Sequence, residues 1–258
     1  MVWIGLLACT GGDGKGKGSG LFGGDDSGDS SAVTDDSEWQ GYPELGNGVL
    51  WLELGGNLRS DSGSYLIDGI DELEQVVKKH GSEVTLVTEW PEDPTPYSVA
   101  IWTLPGSDND GKEGQVEQAL LDELDIWISQ RGGRLVMAGD YNGSYNGYDI
   151  RAGNDQIDQI AKDWGLSMAI NQTLPGEKNC NPDSSHPLYP SQGVSWYASE
   201  SLSVADPAVW LDCSSLAVQE MGCGDVVVMG DVNPISDGAE RADAFIKELI
   251  QEPLRACE

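Results

Sequence analysis

Basic residues, histidine and phenylalanine are scarce in this chain. Fourteen Lys and Arg stand against 44 Asp and Glu in 258 residues, giving a net charge of −30. A surface of that sign repels phosphate, so nucleic acid and a basic contact with anionic lipid are excluded as partners. No run of eighteen apolar residues occurs, so no segment can cross a bilayer as a helix. The only histidines are His80 and His186 and no Cys-x-x-Cys pair exists, which makes a zinc site a weak rival to disulfides. Two phenylalanines against nine tryptophans leave the aromatic load to Trp and Tyr.

What the chain does have is one phrase used twice. Gly133-Arg-Leu-Val-Met-Ala-Gly-Asp-Tyr-Asn142 and Gly224-Asp-Val-Val-Val-Met-Gly-Asp-Val-Asn233 share the plan Gly, x, four apolar residues, Gly-Asp, x, Asn. A continuous apolar run between turn residues is how a strand buried on both faces reads. Two central strands are therefore expected, each ending in an aspartate. In open parallel sheets ligands bind beyond the carboxyl ends of the strands, which directs attention to Asp140 and Asp231.

Strand and helix signals alternate around these phrases. Gly46 to Leu54 reads as a strand with Glu53 near its end and a Gly-Gly-Asn57 turn after it. Ile67, Ile70, Leu73 and Val77 fall at helical spacing ahead of a stop at Gly81. Val84–Val87 and Val99–Leu104 are short strands around a proline-rich loop, and Val116, Leu120, Leu124 and Trp127 mark a helix entering the first phrase. Ile157, Ile160, Ala161 and Trp164 define another helix, stopped by Gly165. Residues 174–195 read as a long loop. Trp210–Cys213 and Ala217–Met221 read as a hairpin leading into the second phrase. Asp237 as N-cap, with Glu240 three positions on, opens a closing helix striped by Ala242, Phe245, Ile246 and Leu249. The alternation predicts an α/β domain with a mainly parallel central sheet and helices on both faces.

The N-terminal part is different. Leu6-Leu7-Ala8-Cys9 closes an apolar stretch and resembles the lipobox of bacterial lipoproteins. The resemblance implies cleavage before Cys9, its acylation, and a lipid-anchored place in the bacterial envelope, periplasmic or at the cell surface. Only eight residues precede Cys9 and none is basic, short of a full signal peptide. Residues 10–39 are Gly, Ser and Asp with almost nothing apolar, the composition of a disordered tether. The expected organisation is a truncated lipobox-like segment at 1–9, a tether at 10–39 and one domain at 40–258. That domain retains 37 acids and 12 bases. Outside the cytoplasm, Cys180, Cys213, Cys223 and Cys257 suggest two disulfides with three possible pairings. Cys213–Cys223 and Cys180–Cys257 are the preferred pair, with buried free thiols the other reading.

In this order the elements resemble the class I glutamine amidotransferase-like superfamily, in its non-catalytic branch of DUF4350-type and intraflagellar-transport-type domains. The matching pieces are the strand and Gly-Gly-Asn turn at 49–57, helix 114–131 running into the first phrase, His186-Pro-Leu with Gly193-Val194, and the closing phrase with its helix. The resemblance implies a flavodoxin-like three-layer sandwich and a binding or scaffolding role. A working amidotransferase carries a cysteine nucleophile on the turn after the fourth strand. Here that turn is Gly139-Asp140-Tyr141, and no cysteine lies between Cys9 and Cys180, so glutamine hydrolysis is excluded.

The remaining chemistry centres on Asp140 and Asp231, with Glu53, Asn57, Asn142 and Asn233 as neighbours at the sheet edge. Hard oxygen donors of this kind suit calcium or magnesium, and Asp140 and Asp231 are the candidate ligands. The alternative is that each Gly-Asp-x-Asn is a turn whose aspartate bonds nearby amides. Asp108, Asp110, Gly111 and Glu117 imitate an EF-hand loop, but glycine stands at its first position. His186 is a ligand, a general base or a structural hydrogen-bonder, and His80 complements a helix end. Trp90, Trp196, Tyr197 and Tyr141 fall in or beside loops, where they can stack on sugar or pin the loop. Two readings follow. One is a non-catalytic domain binding a protein or carbohydrate. The other is a carbohydrate- or ester-directed hydrolase that uses Asp140, Asp231 and His186. The hydrolase needs Glu53, Asp140, Asp231 and His186 in one cleft. The binder keeps them apart and exposes an apolar patch elsewhere.

Overall fold

The computed structural model describes residues 43–54, 70–105, 116–140, 144–145, 148–171, 181–192, 194–196, 199–212, 215–236 and 238–251, all within one unit spanning Gly41–Glu258. In chain order the elements are β1 (Gly48–Leu52), α1 (Asp71–Lys79), β2 (Val84–Val87), β3 (Tyr97–Thr103), α2 (Gln118–Arg131), β4 (Arg134–Ala138), β5 (Ser144–Tyr145) and β6 (Tyr148–Asp149). They continue with α3 (Ile150–Asp163), β7 (Met168–Asn171), β8 (Ser201–Val204), β9 (Val209–Asp212), β10 (Leu216–Met221), β11 (Gly224–Met229), a 3-10 turn (Asn233–Ile235) and α4 (Asp243–Gln251).

Seven strands form the central sheet in the order β2-β1-β3-β4-β11-β10-β9. The first five run parallel, and β10 is antiparallel to both its neighbours. Alternate residues of each strand feed two separate cores. Val49, Trp51, Ile101, Val136, Val227 and Met229 pack with α1 and α4. Leu50, Trp102, Leu135, Met137, Val226 and Val228 pack with α2 and α3. This is the expected three-layer α/β sandwich with a mainly parallel sheet. Each layer buries a continuous apolar face, which is why the central strands carry no polar alternation.

The two copies of the repeated phrase lie side by side. Register pairs Asp225 with Arg134 and, four residues on, Met229 with Ala138, and Gly139 N–H continues the ladder by donating to the Met229 carbonyl at 2.8 Å. Asp140 and Asp231 thus leave adjacent strands at the same edge. Three helices stop where the sequence provides a left-handed glycine, Gly81, Gly132 and Gly165, at φ of 84°, 80° and 68°.

Two expectations differ in detail. The β7–β8 pair was not expected, and it holds Met168, Ile170 and Leu202 against the α2/α3 core. Of the long loop, residues 181–192 carry no helix or strand, as expected, yet they place Leu188 in the opposite core.

Asp158 of α3 fastens β7 by accepting the Ile170 N–H at 2.5 Å. Burial pushes its carboxyl pKa up to about 6 despite that hydrogen bond, and the nearby Asp155 adds to the rise. A raised carboxyl pKa means stability that is full below about 4 and is lost as pH rises to about 6. Asp158→Asn keeps an acceptor for Ile170 and removes the charge. It is expected to stabilise the domain at pH 7 by about 1 kcal/mol, after discounting for the exposed part of the side chain. Melts at pH 4 and pH 7 check this: the gain should vanish at pH 4.

Candidate functional site

Asp231 is fully buried. Its Oδ1 accepts the Asn233 N–H at 2.9 Å, and the Asn233 carbonyl in turn accepts from Ser236 and Gly238. This is an aspartate turn feeding a short 3-10 turn, the arrangement that Gly-Asp-x-Asn encodes locally. Asp140, also buried, has its backbone held from outside the strand. Asn154 of α3 donates through Nδ2 to the Asp140 carbonyl at 2.7 Å and accepts the Asp140 N–H through Oδ1 at 3.2 Å. A Cβ added at Gly139 would lie 2.4 Å from Asn154 Oδ1, so glycine is required for that approach.

Glu53 follows β1, two strands from β4 on the same edge, and is half-buried. Asn57 and Asn142 lie outside the described residues, as do Asp108, Asp110 and Gly111. Glu117 stands at the N-cap of α2 without a side-chain capping bond. Among the described residues no three His, Cys, Asp or Glu side chains gather as cation ligands.

His186 does not join this edge. The charges that act on its ring belong to Asp225, Arg134, Asp183 and Glu220, and the first two begin β11 and β4 while Glu220 pairs with Asp225. Neither Asp140, Asp231 nor Glu53 is among the charges that act on the ring. His186 Nδ1 accepts the Leu188 N–H at 3.1 Å, which places the ring proton of the neutral form on Nε2. Burial pushes its pKa down. The ring thus pins its own loop, the structural alternative. His80 caps α1 and meets Asp243 Oδ1 at 3.1 Å, beside Lys79 at 2.8 Å.

The aromatic side chains are also committed. Trp90 packs edge-to-face on Trp127 with ring centroids 5.5 Å apart. Trp196 donates to Asp212 and packs on the α1/α4 core. Tyr141 and Tyr197 lie outside the described residues. Of the cysteines, Cys9, Cys180, Cys213 and Cys257 lie outside them as well. Cys223 stands in the turn between β10 and β11, and both expected bridges, Cys213–Cys223 and Cys180–Cys257, reach outside the described residues.

The sequence reading missed a buried, two-pronged ion pair. Arg134, 4 % exposed in its side chain, donates from Nε and Nη2 to the two carboxylate oxygens of Asp225, each at 2.8 Å, and from Nη1 to the Leu249 carbonyl at 2.7 Å. The pair joins β4 to β11 and ties down the end of α4. Its signal was present: the second position of the repeated phrase is Arg in one copy and Asp in the other.

Comparison with known proteins shows likeness at the level of fold. The mmIFT52 N-terminal domain superposes with a TM-score of 0.51 at 13% identity, over 78% of this chain and 95% of that one. The cytoplasmic protein STM1381 from Salmonella typhimurium LT2 gives 0.51 at 15% identity, over 79% and 98%. No family model matches the chain, and no curated protein does.

Proposed function

We propose that this domain binds or scaffolds and does not catalyse, and that the chain is held at the bacterial cell envelope by lipid on Cys9, with a protein or carbohydrate as its ligand. The observation that carries the first part is the scatter of the candidate catalytic groups. Asp231 is sealed into a turn, and neither it, Asp140 nor Glu53 is among the charges that act on His186, whose Nδ1 is taken by the Leu188 N–H. A general base has to reach the proton it takes within about 3 Å, or through one water. The resemblance to non-catalytic amidotransferase-like domains and the shared fold support the same reading. The lipobox-like Leu6-Leu7-Ala8-Cys9 followed by a Gly/Ser/Asp tether supports the anchor.

Both parts can be tested on the full chain. Against glycoside and ester panels, the protein and Asp140→Asn should show the same background turnover. Hydrolysis that the substitution abolishes would sink the non-catalytic reading. For the anchor, cells fed an alkyne fatty acid should label the expressed chain, and Cys9→Ala should lose the label and move to the soluble fraction. Equal labelling of both would remove the anchor.

A further inference from the structure

The two edges of the central sheet are treated differently. At the β9 edge, Asp183 N–H donates to the Trp210 carbonyl at 2.9 Å, so the preceding loop covers it. At the other edge, among the described residues, β2 bonds only to β1. Val49 N–H donates to Glu83 and Glu53 N–H to Val87. In a parallel pair every other residue turns its amide toward the neighbour, so Glu83, Thr85 and Val87 face β1, and Val84, Leu86 and Thr88 present N–H and C=O outward. Among the described residues no hydrogen bond reaches those outward groups. Leu86, 40 % exposed, and Ile126 on α2 are the two exposed large apolar side chains among the described residues. Val-Thr-Leu-Val lacks the lysine, proline or bulge that normally guards an edge.

We infer that the β2 edge is a strand-addition site for an extended segment of another protein, apolar opposite Leu86 and basic at both ends. The choice of occupant rests on charge. Exposed Glu83 and Glu89 bracket the strand, on a chain of net charge −30. A second copy of this chain is disfavoured by register. The antiparallel pairing that uses all three outward residues centres on Leu86, and it sets Glu83 of each copy directly opposite Glu89 of the other. Like charges so placed are destabilising. A segment with Lys or Arg six positions apart and an apolar residue midway turns both repulsions into attractions. Backbone hydrogen bonds then supply affinity, and the alternate side chains supply selectivity. This inference rests on the binding reading above and names its partner.

The probe is a fluorescein-labelled peptide, Lys-Thr-Thr-Val-Thr-Thr-Lys, titrated with the full chain and followed by anisotropy. Its mirror in charge is Glu-Thr-Thr-Val-Thr-Thr-Glu. The basic peptide should bind at least tenfold more tightly, and the difference should shrink with added salt. Leu86→Pro removes the outward N–H and the Leu86 side chain but no bond to β1, so it should weaken binding tenfold or more with the circular dichroism spectrum unchanged. Glu83→Lys with Glu89→Lys leaves the strand intact and should reverse the preference to the acidic peptide, a result that does not depend on how proline is tolerated. No binding of the basic peptide at millimolar protein, equal binding of both peptides, or an unaltered preference in the double variant would overturn the proposal. So would a concentration-dependent dimer in sedimentation that Leu86→Pro abolishes, since a second copy would then be the occupant. None of these outcomes produces hydrolysis, so failure here is distinct from failure of the non-catalytic reading.

Discussion

Arg134→Ala should lower the stability of the domain by about 3–5 kcal/mol, because it strands a buried carboxylate. The Asp225 carboxylate loses both of its bonds to the guanidinium, and the Leu249 carbonyl at the end of α4 loses a donor. The Asp225 side chain is only 11 % exposed, so water replaces little of what is lost. For a domain of this size that is a fall in melting midpoint of about 6–20 °C. Urea unfolding followed by tryptophan fluorescence would measure it. The comparison that identifies the cause is the double variant Arg134→Met with Asp225→Leu, which removes both charges and fills the space. It should recover most of the loss, since an apolar pair of similar volume commonly matches or exceeds a buried ion pair. A double variant as unstable as the single one would mean that packing around the guanidinium stem, and not the stranded charge, sets the cost.

Asn154→Ala is the second large effect. Asn154 is fully buried, and its amide satisfies both the N–H and the C=O of Asp140. Removing it deletes two buried hydrogen bonds to the Asp140 backbone, together worth about 1–3 kcal/mol. Asn154→Asp should recover only part. A carboxylate can accept the Asp140 N–H but cannot donate to its carbonyl, and it adds a charge at a dry site. Hydrogen exchange at the Asp140 amide would show the loss locally: both variants should exchange faster there than the parent, Asn154→Ala most of all.

How far this architecture was legible follows from the range of each interaction. Five parallel strands and four helices could be read because burial writes itself locally, as apolar runs such as Leu135–Ala138 and stripes such as Phe245, Ile246 and Leu249. The adjacency of the two repeated phrases could not be read from either copy. Pairing of Arg134 with Asp225 is decided across 91 residues, and the periodicity of a strand says nothing about its neighbour. Asn154 was legible in principle, as a polar residue on the stripe Ile150, Asn154, Ile157, Ile160. The β7–β8 hairpin was not, because four residues are too few to establish a period and the two halves are far apart in sequence. At the candidate site the local turn chemistry of Asp231 was readable, as its Oδ1 accepting the Asn233 N–H. The position of His186 was not readable, since a loop without secondary structure can return to either end of the sheet.

The side-by-side setting of the two phrases also bears on how the chain emerges from the ribosome. When β4 leaves the exit tunnel its neighbour on one side, β3, is already made, but its other neighbour β11 is encoded about 90 residues later. At ordinary elongation rates of about 5–20 residues per second, that interval lasts roughly 5–18 s. Throughout it, a strand that is apolar from Leu135 to Ala138, in the middle of the future sheet, offers an open edge, with Arg134 at its start lacking its counter-charge. A nascent chain in that condition is a natural client for a holding chaperone. Ribosome-bound intermediates stalled between residues 150 and 220 should be the most protease-sensitive and the most aggregation-prone of the whole synthesis.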